Sequence, residues 1–236
     1  MLNQLISELQ KFANSEKAKI YQKFFKTGKG QYGEGDIFIG VTVPEQRTIA
    51  RKYLSLSLPK LQQLIKSKIH EHRLTSLLIL VDKYKKAKEK DKEEIFNFYL
   101  RNLKHINNCD LIDLTAPIIV GSFLLKNPEH KRILYQLVKS ENLWEKRVSV
   151  LSTFYFIKHN DFEDTLAISE LLLEDKHDLI HKAVGWMLRE IGKKSRQVLD
   201  NFLKDHYKTM PRTTLRYAIE KHPEKERQKW LKWKIS

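Results

Sequence analysis

The chain has 236 residues, 31% charged and 41% hydrophobic, an ordinary globular composition with ample material for a core. Its single cysteine excludes an internal disulfide framework and a cysteine-ligated zinc site, and fits a reducing cytoplasm. The formal net charge of +15 favours a polyanionic partner, because each neutralised phosphate releases counterions; nucleic acid leads, with an anionic membrane, an acidic protein or a merely solvated basic surface as alternatives.

In chain order, MLNQLISELQKF reads as an amphipathic helix and lacks the basic start, apolar block and small-residue cleavage site of a signal peptide. Five of the eight glycines then crowd into TGKGQYGEGDIFIG. Gly28 to Gly33 match G-x-G-x-x-G, but helix-like sequence precedes them and no helix begins within them, so the segment predicts a turned connection rather than a dinucleotide site. No Gly-Lys-Ser/Thr follows to make a P-loop. Beyond the glycines, breakers are few and strand-like alternation is scarce. Amphipathic stretches recur in pairs. The first members are RLTSLLILVDKY, DLIDLTAPIIVGSFLL, LWEKRVSVLSTFYF, LIHKAVGWMLREIG and RTTLRYAIEKH; EEIFNFYLRNL, KRILYQLVKS and FEDTLAISELLL are second members. Their starts recur at roughly 32 to 38 residues, the signature of stacked helical repeats. The expected fold is all-α: an α-solenoid of HEAT-like antiparallel helix pairs, residues 1–236 forming one domain, with a concave basic groove suited to an elongated ligand. The longest apolar run, LLILV, is too short to span a bilayer.

Three positions leave the apolar pattern once helical angles are followed at about 100° per residue. Asp113 heads a segment, Leu111 to Leu125, that is apolar nearly all round, and shares a face with the small Ala116 and Val120. Asp110 and Asp113 can serve as N-cap and third-position acid of that helix, or Asp113 can face a groove. Arg147 falls inside the apolar arc of Trp144, Val148, Leu151 and Phe154, where it is either a structural ion pair or a phosphate or carboxylate contact. Trp186 lies opposite the stripe of Ile180, Ala183, Val184, Met187, Leu188 and Ile191, beside Lys182, Arg189 and Lys193. It either packs on the next helix pair or faces sugar and base while the cations meet phosphate. His177 and His181 are spaced i, i+4, but without a zincin Glu or a third ligand they predict no metal site.

These residues lie in blocks that resemble the AlkD-type DNA alkylation-repair family, the HEAT-like-repeat DNA glycosylases: YGEGDIFIGVTVPEQR, INNCDLIDLTAP, SENLWEKRVSVLSTFYFI, DKHDLIHKAVGWMLREIGK and MPRTTLRYAIEKH, in order over nearly the whole chain. The resemblance implies duplex DNA bound in a concave groove and hydrolysis of the N-glycosidic bond of cationic alkylpurines such as 3-methyladenine and 7-methylguanine. By motif, Asp113 matches the family's catalytic aspartate, Arg147 its active-site arginine and Trp186 a cleft tryptophan. Lys182, Arg189, Arg212, Arg216 and Arg47 are the candidate DNA contacts. The family pattern has a tryptophan directly before the D-x-x-D element, where this chain has Cys109, so half of an aromatic wall is missing unless another ring supplies it. No metal or cofactor is implied, and a cytoplasmic monomer acting on alkylated double-stranded DNA is expected. The alternative is a non-catalytic HEAT-like module that binds structured DNA or RNA.

Overall fold

The apolar period of the sequence becomes helix throughout the computed structural model, which describes residues 1–232. Among those residues there is no strand, only an isolated bridge between Ile37 and Ile69, so the all-α expectation holds. The chain divides into two compact units, Met1–Thr115 and a second that begins at Ala116.

The first unit opens with α1 (Leu2–Lys11), whose Leu5 and Leu9, one turn apart, are fully buried. Helix α2 (Ser15–Phe24) is capped by Asn14, which accepts from the Lys17 amide. It buries no residue and leaves Ile20 and Phe24 exposed. The glycine-rich stretch follows as a turned connection, as the sequence predicts. Gly40 must be glycine: its φ is +82°, and a Cβ there would stand 2.1 Å from the Asn14 carbonyl oxygen. Helix α3 (Val43–Lys52) begins where the Glu45 carboxylate accepts from both the amide and the hydroxyl of Thr42. It and α4 (Leu58–Ile65) pack on α5 (His70–Lys86), whose side chains are buried without a break from His70 to Val81. Helix α6 (Glu89–Arg101) follows, and the unit ends around α7 (Cys109–Asp113).

The second unit begins with a π-helical turn, Pro117–Gly121, running into α8 (Ser122–Lys126). Proline supplies no amide hydrogen and crowds the preceding turn, so the apolar run from Leu111 to Leu125 is not the single helix expected. Helices α9 (Arg132–Leu137) and α10 (Leu143–Ser152) come next. The expected helix over 143–156 also breaks, at Thr153, before α11 (Phe154–Lys158). There the Ser152 and Thr153 hydroxyls donate back to the Val148 and Val150 carbonyls, which competes with the helical ladder. The remaining helices are α12 (Glu163–Leu171), α13 (Asp178–Lys194), α14 (Arg196–His206), α15 (Arg212–Ala218) and α16 (Glu224–Lys232). Helices α13 and α15 approach closely at Gly185, where a Cβ would stand 2.6 Å from the Thr214 carbonyl oxygen. The expected first members of the repeats thus begin at His70, Cys109, Leu143, Asp178 and Arg212. No helix among the described residues is long and apolar enough to cross a membrane.

Candidate active site and nucleic-acid interface

Helix α7 is short and is fixed at both ends. The Asn108 side chain accepts from the Cys109 amide at 2.8 Å and is the N-cap. At the other end, the Thr115 hydroxyl lies 2.9 Å from the buried Tyr99 hydroxyl. Leu111 and Ile112 are buried between these anchors, and Asp113 ends the helix half-buried. Burial, and after it the nearby charge of Asp113, push the Tyr99 phenol well above its ordinary range. Tyr99 is therefore a neutral neighbour of the Asp113 carboxylate.

Asp110 does not act as the N-cap. The sequence allowed that role, but Asn108 stands two residues earlier and takes it. The Asp110 Oδ1 accepts from the Leu111 amide, and its Oδ2 lies 2.8 Å from His70 Nε2. On the far side of the ring, His70 Nδ1 faces Asp36 Oδ2 at 3.3 Å, and Arg73 Nη2 donates to the same oxygen at 2.7 Å. Sequence reasoning missed this buried cluster. Its signal was present: HEHR runs directly into the apolar stretch LTSLLILV, and polar groups at such a position need partners. Glu71, 1% exposed, completes the arrangement by accepting from the Ile39, Gly40 and Val41 amides at 3.1, 2.7 and 3.3 Å. The start of α5 therefore holds the glycine-rich connection on one side and α7 on the other. A cavity of about 330 Å³ beside it is lined in part by the rings of Tyr21, Phe24, Phe25 and Phe38. Arg47 lies half-buried on α3 of this unit.

In the second unit, Arg147 is 5% exposed on α10, and its Nη1 donates to the Leu179 carbonyl at 2.7 Å. On α13 the apolar stripe lies where the helical angles put it: Ile180, Ala183, Val184, Met187, Leu188 and Ile191 are all buried, whereas Trp186 is half-buried off that face. The Trp186 Nε1–H donates to Glu190 at 3.1 Å, and its ring centroid is 5.9 Å from that of Phe154. Lys158 Nζ sits 4.5 Å from the Phe154 centroid, which gives a continuous strip of two rings and a cation that the sequence alone did not reveal.

The cations around Trp186 are not bare. Lys182 pairs with Asp178 at 2.7 Å, Lys193 with Glu190 at 2.6 Å, and Arg189 with Glu220. The Lys182 ammonium holds the Asp178 carboxyl below its usual range, and the carboxylate in turn raises Lys182. Such half-exposed pairs are individually weak, about 0–1 kcal/mol, and exchange partners readily. On α15, Arg212 Nη2 donates to the Leu231 carbonyl at 3.2 Å, while Arg216 is exposed without an ion-pair partner among the described residues. His177 caps α13 and His181 meets the Asp175 carbonyl. No cluster of histidine, cysteine and carboxylate side chains among the described residues could hold a metal ion. Asp113 thus belongs to the first unit with Arg47, and Arg147, Trp186, Lys182, Arg189, Arg212 and Arg216 belong to the second.

The fold is all-α among the described residues, and comparison with known proteins gives its class. The model of a family described as "DNA alkylation repair enzyme" matches residues 5–222, and the chain belongs to that family. Its fold is similar to that of a structure described as a predicted DNA alkylation repair enzyme from Enterococcus faecalis. The TM-score is 0.68 at 15% identity, covering 90% of this chain and 97% of that one. It is also similar to AlkD2 from Streptococcus mutans, with a TM-score of 0.60 at 16% identity, covering 94% and 99%. No curated protein matches the chain.

Proposed function

We propose that this protein is a monofunctional DNA glycosylase that releases cationic N3- and N7-alkylated purines from duplex DNA as a cytoplasmic monomer, its two units serving as one DNA-binding domain. The observation that carries the reading is Asp113, half-buried on a helix fixed at both ends; the sequence resemblance matches it to the family's catalytic aspartate. Alkylation at N3 or N7 makes the purine a good leaving group, so a strong general acid is unnecessary. The developing oxocarbenium-like sugar needs a nearby negative charge, which Asp113 supplies. The same carboxylate orients the attacking water as a base. No lysine need form a Schiff base. Arg147 holds the phosphate next to the lesion. Trp186 packs on the deoxyribose, with Phe154 backing its ring. Lys182, Arg189, Arg212, Arg216 and Arg47 contact phosphates.

One observation favours a second reading, a non-catalytic module for structured DNA or RNA: Cys109 stands where the family pattern has a tryptophan, and a thiol offers no π-face to a sugar. Base release from duplex DNA treated with a methylating agent separates the two. The glycosylase reading expects wild type to release 3-methyladenine or 7-methylguanine and Asp113→Asn to be slower by about a hundredfold or more. No release by wild type, with DNA binding intact, would establish the module instead. Equal release by both proteins would remove Asp113 from the chemistry.

A further inference from the structure

We propose that His70, held as an imidazolium between Asp36 and Asp110, is the positioning residue that fixes the first turn of α7 and thereby Asp113. The inference rests on the reading of Asp113 as the catalytic carboxylate, but its geometric half stands alone. A neutral imidazole has one donor nitrogen and one acceptor, so it can satisfy only one carboxylate. Here both ring nitrogens face carboxylate oxygens, Asp36 Oδ2 at 3.3 Å and Asp110 Oδ2 at 2.8 Å, and neither oxygen can donate unless it takes up a proton. The charges then balance: two carboxylates, one imidazolium and the Arg73 guanidinium, whose Nη2 lies 2.7 Å from Asp36 and 3.5 Å from His70 Nδ1.

The bridge is rigid as well as charged. The His70 ring stacks on Phe38 at 4.4 Å and on Phe25 at 5.4 Å. Its backbone amide donates to the Ile37 carbonyl at 2.8 Å. Arg73 is itself tethered to the Ser67 carbonyl at 3.0 Å. A five-residue helix has little stability of its own, so its place is set by what grips it. Asp110 is its first-turn grip on α5, and Asp113 follows one turn later. Burial alone would push the His70 imidazole down; Asp110 and then Asp36 outweigh it, and the net shift is upward. Arg73 opposes them, and the two rings bring no charge. With a raised pKa in the folded state, the bridge is intact below the ordinary imidazole range and is lost as pH rises through the folded value.

The test combines labelled-histidine NMR with single-turnover base release on methylated duplex, from about pH 6 to about pH 9. The His70 ring nitrogens should both be protonated at neutral pH, and the wild-type rate should fall on an alkaline limb that coincides with the His70 titration. His70→Gln should lower the rate at neutral pH by about tenfold or more, a loss typical of small misplacements, leave duplex affinity within about twofold, and abolish the alkaline limb. Asp110→Asn should reproduce the same profile. A neutral His70 in the folded wild type overturns the proposal, even if His70→Gln fails to fold. So does a His70→Gln rate within about twofold of wild type across the range while Asp113→Asn is inactive; the glycosylase reading then survives. If wild type releases no base at all, that reading falls, and the nitrogen shifts together with amide exchange across α7 in His70→Gln alone decide the bridge.

Discussion

Asp110 and Asp113 sit one turn apart on the same short helix, yet burial and partners give them different tasks. Asp110 is bound to His70, whereas Asp113 lies close enough to Tyr99 for its charge to help raise that phenol. That division is only half legible in the sequence. Helical angles separate Trp186 from its stripe and place Arg147 among apolar neighbours, because both follow from position along one helix. Asp110's partner comes from forty residues away, and no local pattern announces it. Cys109 shows the residue scale most sharply. It is half-buried beside the Asn108 cap, at the mouth of α7. If the sugar-facing wall is incomplete there, Cys109→Trp should raise the rate of 7-methylguanine release by several-fold, about 1 kcal/mol of transition-state stabilisation from one added aromatic face. Single-turnover kinetics at saturating enzyme would register it. An unchanged rate would mean that another ring already supplies the wall.

At the scale of elements, the helices are legible in the sequence and their interruptions are not. The apolar period places α5, α10 and α13 close to where they lie. Pro117 and Thr153 divide expected helices because backbone hydrogen bonding, not apolar period, decides continuity. The glycine-rich connection reads as a turn, but its anchor, Glu71, belongs to a different element. Glu71→Gln removes a buried charge that three amides face, so it should destabilise the fold by about 2 kcal/mol in urea titrations, the scale of charge-assisted hydrogen bonds. Asp36 adds a pH dependence of its own. Burial raises its carboxyl, but the hydrogen bond from His70 and the charge of Arg73 prevail and hold it below the usual range. A depressed folded pKa stabilises above the unfolded value, and that stability is lost as pH falls through the folded one. The stability gap between wild type and Asp36→Asn should therefore be full at neutral pH and close on acidification below the usual carboxylate range. A gap that persists unchanged in acid would mean that Asp36 acts by packing alone.

For the whole molecule, the net charge of +15 by itself points to a polyanion, and family membership in DNA alkylation repair agrees with it. Charge counting does not show how the cations are distributed among partners. Lys182 is neutralised at close range by Asp178, whereas Arg216, on the same unit, is exposed without an ion-pair partner among the described residues. The two should then respond differently to salt. Each phosphate neutralised by an unencumbered cation contributes about 0.9 to the slope of log affinity against log salt. Arg216→Gln should lower the magnitude of that slope by about one, uniformly across duplex sequences. Lys182→Gln should lower it by less, because a lysine that keeps Asp178 beside it brings little net charge to the phosphate. Affinity titrations of wild type and both variants at several salt concentrations measure this directly. If the two losses are equal, the Lys182–Asp178 pair opens completely on binding, and Lys182 meets the backbone as a full charge. If Arg216→Gln leaves the slope unchanged, the exposed face of α15 lies off the duplex, and the phosphate contacts come from the other cations, those of α13 and Arg47 on α3 among them.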